Sequence, residues 1–168
     1  MKNCIIGVLL VCILVIFSFM YKSSKSPILE KFPIENKKSD HHLDGPPLYI
    51  YIFFRKHNCP TCLEVIHVLN ELPSQFIVTG IVKIKELENE AELRETTGAA
   101  FDLIAYNDSY KRFIPNYSPT IFGVGGNGKI YFVLPGIPGE KEYLEEFLIV
   151  FYNHILPFLN PPSYYLFL

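Results

Sequence analysis

The sequence has no long basic run, and its formal net charge is only -2 over 168 residues. Without a clustered positive footprint, nucleic acid is excluded as a partner. Cysteine is scarce. Of the four present, Cys4 and Cys12 lie in an apolar N-terminal segment, which leaves Cys59 and Cys62 for the body of the chain. Two thiolates cannot build a four-thiolate zinc site, so a zinc framework is excluded as well. There is no internal repeat. What the chain does have is apolar mass, with 49% hydrophobic and 15% aromatic residues. That is enough for one well-filled core in a chain of one-domain length.

The N-terminal stretch CIIGVLLVCILVIFSFM, residues 4–20, carries no charge and follows Lys2. As a helix it would reach about 25 Å, enough to cross the hydrocarbon of a bilayer. Small residues suited to signal cleavage come late and charged, at Ser24-Lys25-Ser26, and Val11 stands where a lipidated Cys12 would need a small residue before it. The expectation is an uncleaved signal anchor over residues 1–21. A buried helix fits poorly, because nothing polar gives the segment a solvent face. Residues 22–47 then read as a polar linker ending in SDHHLDGPP, in which His41 and His42 are solvated rather than metal-binding. Its five lysines would, by the positive-inside rule, hold the body in the cytoplasm. The chemistry of the body pulls toward the opposite side.

From Leu48 the pattern changes. LYIYIFF is continuously apolar and aromatic, as expected of a central strand covered on both faces. A helix follows with Leu63, Ile66, Leu69 and Leu72 at helical spacing, closed near Pro73. QFIVTGIVKI reads as the next strand, and NEAELRETTG as a short helix capped by Asn89 with Glu92 in the capping-box position and Gly98 at the exit. FDLIAY is a short strand. SPTIFGV and KIYFVLP flank GGNG, whose Asn127-Gly128 suits a tight hairpin. A last helix from near Gly139 would bury Leu144, Phe147, Leu148, Phe151 and Ile155. The body therefore reads as an α/β domain over residues 48–160, a mixed sheet with helices on both faces, followed by a short apolar tail, 161–168.

The chemistry concentrates in FFRKHNCPTCLEVIHVLNEL, residues 53–72. A thiolate, not a thiol, attacks a disulfide. At the first turn of a helix, unpaired N–H groups and the dipole favour negative charge, which suits Cys59. Pro60 fits the first helical position. Arg55, Lys56 and His57 lie just upstream and supply or can supply positive charge. Cys62 is one turn on and more covered, so Cys59 is the candidate nucleophile and Cys62 the resolving thiol. A metal pair and two inert core thiols are the competing readings.

On three stretches the body resembles the thioredoxin superfamily, most closely the membrane-tethered redoxins of the bacterial envelope. They are CPTC, YSPTIFGVGGNGKIYF and LPGIPGEKEYLEEFL, within about residues 48–157. The resemblance implies a thioredoxin-like fold, with Pro119 as a cis-proline facing the cysteine pair and the Ser118 backbone open to an extended substrate. It departs in three places. The tryptophan usual before the first cysteine is Asn58, in a chain with no tryptophan; an acidic or amide residue of the first strand falls on Phe53; and Glu64 is one position short of a glutamate common in envelope redoxins.

The function so implied is a thiol-disulfide oxidoreductase anchored through residues 4–20, with its catalytic domain outside the cytoplasm. It would exchange disulfides with cysteine-containing exported proteins and with an upstream thiol-disulfide electron donor or acceptor, without cofactor or bound metal. The alternatives are a copper-delivering protein using Cys59, Cys62 and His154, since soft thiolates favour Cu(I), and a redox-silent binding module. A peroxidase is disfavoured because Lys56 occupies the position of the threonine that class needs.

Overall fold

Leu48, Ile50 and Ile52 point to one side of β1 (Leu48–Phe53), and Tyr49, Tyr51 and Phe53 to the other. A strand with both faces apolar must lie between two layers. In the computed structural model, which describes residues 31–34, 46–56, 59–136 and 141–159, it does. β1 is the middle of a five-stranded mixed sheet in the order β3-β2-β1-β4-β5. β2 (Phe76–Val82) and β3 (Asp102–Ala105) run parallel to it, while β4 (Thr120–Val124) and β5 (Ile130–Pro135) form an antiparallel hairpin on the other side.

The helices are α1 (Pro60–Asn70), α2 (Ile84–Leu87), α3 (Glu90–Thr97), α4 (Lys141–Val150) and α5 (Leu156–Leu159). Asn89 caps α3 by accepting from the Glu92 N–H, and Gly98 ends it at φ 72°. Both were legible in the sequence. In the hairpin, Gly128 takes φ 80° beside Asn127, whose side chain accepts from the Lys129 N–H. Gly123 is needed for a different reason. The Phe132 ring lies directly on it, and a Cβ there would sit 2.2 Å from the ring. From that seat Phe132 meets Phe147 and Phe151 edge-on, at 5.1 and 4.8 Å.

The layering departs from the expectation of helices on both faces. Among the described residues, the buried apolar residues of α1, α3 and α4 all join the cluster of Ile50 and Ile52, on one side. The opposite face is closed by aromatic rings. Phe32 sits 4.5 Å from Tyr51, 4.9 Å from Phe113 and 5.3 Å from Phe122, with Tyr110 at 5.6 Å. The physical reason lies between β3 and β4. Asn107 caps only a single 3-10 turn (Asp108–Tyr110), Pro115 follows, and rings fill the space a helix would take. Phe32 comes from a stretch whose composition reads as linker, yet it is 2% exposed and its N–H donates to Gly128 O at 2.8 Å.

Two smaller expectations also fail. Leu63 and Ile155 are 46% and 42% exposed, while Cys62, Val65 and Val68 take up the inner face of α1. Helical spacing alone does not say which of two adjacent apolar stripes faces inward. At the C-terminal end, α4 runs into a π-helical turn (Phe151–Ile155), in which the Leu156 N–H donates to Phe151 O. Pro157 has no N–H and its ring crowds the carbonyl four residues back, so a wider turn there relieves the clash. The expected anchor (1–21) and tail (161–168) lie outside the described residues, among which no helix is long and apolar enough to cross a membrane.

If Phe32 closes the second core, Phe32→Ala costs about 3 kcal/mol of unfolding free energy. Urea denaturation followed by circular dichroism measures it. A loss below about 0.5 kcal/mol, the range of an ordinary surface change, would show that the segment does not hold the domain.

Candidate functional site

β1 ends at Phe53, and the chain turns through Phe54, Arg55 and Lys56 toward the helix. Cys59 is the N-cap of α1, with φ -135°, and Pro60 opens the helix. No side chain caps this end, and its first turn carries no acidic residue. The orphan N–H groups and the positive end of the dipole are therefore left without a side-chain cap at Cys59. The Cys62 N–H donates to Cys59 O at 3.0 Å, which folds the pair into one turn. The two sulfurs are joined as a disulfide, with Cα atoms 5.2 Å apart. Their surroundings differ. Cys59 is partly exposed, whereas Cys62 is fully buried against the core of α1.

Opposite the pair stands the turn before β4. The Ser118–Pro119 bond is cis. Pro119 is buried, and its carbonyl accepts from the Gly136 N–H at 2.8 Å, which ties the turn to the end of β5. Thr120 adds a second tie, its hydroxyl donating to Tyr117 O at 2.8 Å. Ser118 is brought against both sulfurs: its carbonyl oxygen lies 3.7 Å from Cys59 Sγ and its hydroxyl 3.6 Å from Cys62 Sγ. The hydroxyl contact is one that sequence reasoning missed, since Ser118 had been singled out for its backbone alone. Pairing of β1 with β4 starts at Phe53–Thr120, so Ser118 takes no part in the ladder.

The remaining candidates scatter. Arg55 is exposed. Lys56 turns away to α3, where its ammonium pairs with Glu92 Oε1 at 2.5 Å, and its N–H donates to Glu86 Oε1 at 3.4 Å. The charge expected to support Cys59 is thus matched by a carboxylate, because α3 packs within reach of the loop. His57 and Asn58 lie outside the described residues. Glu64 is exposed on α1, and Phe53 is buried in the aromatic cluster on the far face of the sheet. Among the described residues the buried polar side chains are Thr97 and Thr120, so no carboxylate is buried beside Cys62.

Beside Ser118 a cleft of about 70 Å³ opens between Tyr106, Ile114 and Tyr117, with Arg55 and Lys83 at its rim. No sequence motif marks it, because its walls come from three separate loops. His154, the third ligand of the copper reading, lies at the other end of the domain. Its neighbour Tyr152 packs on Phe76, at the start of β2, whereas the cysteines follow the end of β1. A six-residue strand puts about 20 Å between those ends, and among the described residues no group of three or more potential metal ligands gathers.

The difference in burial predicts a difference in reactivity. In the reduced protein, iodoacetamide should label Cys59 at least about tenfold faster than Cys62, as read by peptide mass spectrometry. Equal labelling would contradict the arrangement.

No protein-family model and no curated protein sequence matches the chain. Solved structures do. A protein described as a thiol:disulfide interchange protein DsbE, from Chlorobium tepidum, superposes with TM-score 0.52 at 17% identity, covering 62% of this chain and 79% of that one. MTB dsbF, in mixed oxidized and reduced forms, gives TM-score 0.50 at 17% identity, covering 62% and 81%. At such identities the likeness is one of fold, and the body of this chain has the thioredoxin-like fold of those two structures.

Proposed function

We propose that the chain is a thiol-disulfide oxidoreductase working through Cys59 and Cys62. The observation that carries this reading is the joined pair at an uncapped helix start, with one sulfur accessible, the other buried, and a cis-proline turn against both. In the reduced form the Cys59 thiolate attacks a partner disulfide, one partner sulfur leaves as a thiolate, and a mixed disulfide forms. Cys62 gives up its proton and attacks Cys59 Sγ, which closes the internal disulfide and releases the second partner thiol. Two electrons pass to the partner, and the reverse order oxidises it.

The unpaired Ser118 backbone supports docking of an extended partner segment as an added strand. The partners are cysteine-containing exported proteins and an upstream thiol-disulfide donor or acceptor. In this reading residues 4–20 anchor the chain, and the domain works outside the cytoplasm. The relevant surroundings there are oxidising, which gives an exposed disulfide its use. The copper reading loses its third ligand, because His154 lies at the opposite end of the domain.

Cys59→Ser should abolish reduction of insulin disulfides, and Cys62→Ser should trap a mixed disulfide visible on a non-reducing gel. Full activity in both variants would end the proposal.

Ser118 bears on the second step. Among the described residues no carboxylate is buried beside Cys62, and the Ser118 hydroxyl lies 3.6 Å from the sulfur that must become a thiolate, where it can donate. A hydrogen bond to a charged group contributes about 1.5 kcal/mol or more. Ser118→Ala should therefore lengthen the life of the mixed disulfide about tenfold and leave the first attack nearly unchanged. Ser118→Thr should restore the wild-type value. Stopped-flow separation of the two steps tests this, and equal slowing of both would assign Ser118 a merely structural part.

A further inference from the structure

The end of the domain opposite the cysteine pair has an unusual surface. Ile155, Phe158 and Leu159 are 42%, 84% and 39% exposed and share one stripe, spaced three and four residues apart. The π-helical turn carries the stripe back to Val150, 43% exposed and five residues before Ile155. Single exposed apolar residues are ordinary, but an aligned set marks a contact. The location is fixed by topology. Tyr152 packs on Phe76 at 5.2 Å, Phe76 pairs with Leu48 at the start of β1, and Tyr131 packs on Phe151 at 6.1 Å. The same end carries Lys31 and Lys129, paired across a backbone bridge, both exposed and without an ion-pair partner among the described residues.

We propose that this end rests on the surface of an anionic lipid bilayer, the apolar stripe entering the interface and the two lysines meeting lipid phosphates. The inference rests on the anchor reading of residues 4–20 and adds to it. Because Phe32 is held in the second core, the span between the apolar run and the domain is residues 21–30, not the whole linker. Ten residues reach at most about 35 Å, so the domain cannot stray far from the bilayer. That short span carries Lys22 and Lys25, of the same sign as Lys31 and Lys129. Cations near an anionic surface are attracted to it, and apolar side chains entering the interface add to that attraction. Beyond Asn160-Pro161-Pro162-Ser163 the sequence ends in Tyr164-Tyr165-Leu166-Phe167-Leu168, in which the two tyrosines are of the type enriched at membrane interfaces. A domain seated this way holds the Cys59–Cys62 end about 20 Å farther out, facing away from the lipid.

The absence of tryptophan allows a clean test on the full chain, reconstituted into vesicles of phosphatidylglycerol and phosphatidylcholine with brominated acyl chains. Phe158→Trp should give blue-shifted emission, quenched about twofold by the bromines at the shallow depth of an interfacial helix. Ile84→Trp, 59% exposed just past the cysteine end of β2, should be unquenched. Adding Lys31→Glu with Lys129→Glu should weaken the quenching at position 158. Quenching at both probes would overturn the proposed seating. So would an unquenched probe at 158, whether solvent-exposed or blue-shifted with protein concentration because a second copy covers the stripe. Protein retained by the vesicles after a carbonate wash but unquenched refutes the seating alone, whereas loss in that wash refutes the anchor and the seating together. Insulin reduction measured on the same samples keeps either failure separate from failure of the redox reading.

Discussion

The structure depends on a strand that cannot tolerate water on either side. β1 places Leu48, Ile50 and Ile52 against three helices, and Tyr49, Tyr51 and Phe53 against a bed of rings. Shifting it by one residue would exchange two sets of side chains of different size and ruin both packings. Because its register is fixed in this way, so is the point where it stops. The loop beyond it, the start of α1 and the turn before β4 meet at that point. The cysteine pair owes its position to the packing of β1, and Cys62 is itself part of the core on the helical side.

The two cores are built differently. The helical side uses aliphatic side chains in the ordinary manner, with Leu144, Leu148 and Leu156 in one cluster with the inner face of α1 and with Ile50 and Ile52. The other side uses few residues of large area, and Phe32, drawn from well before the first strand, completes it. Aromatic side chains bury much surface for each residue ordered, so a short segment can do the work of a helix. The result joins the N-terminal approach of the chain to β1 through the Tyr51 ring and to the hairpin of β4 and β5 through Gly128 O and Phe122.

Much of this was legible in the sequence. Strand periodicity, the Asn89 and Gly98 caps, the hairpin glycine and the cysteine pair each carry a local signal, and local signals survive folding. What could not be read depends on partners distant in sequence. Phe32 looks like one apolar residue in a lysine-rich stretch until the rings it meets are known. Lys56 reads as a cation near sulfur until α3 brings Glu92 beside it. Leu63 and Cys62 are neighbours in the chain, and only the placement of α1 decides that the sulfur goes in and the leucine out. The hydroxyl of Ser118 is silent for the same reason, since serine before proline is common and its nearness to Cys62 is purely tertiary.

Among the described residues no buried acid stands next to Cys62, which bears on how a proton can leave this centre. Where a carboxyl group and a thiol share a dry pocket, their protons leave in linked steps that belong to neither group alone. Here the side chain brought against Cys62 Sγ is the Ser118 hydroxyl, which carries no acidic proton in the ordinary range. Among the described residues, the buried acid-base partner left to either thiol of the reduced couple is the other thiol, so any linkage of protons is internal to the pair.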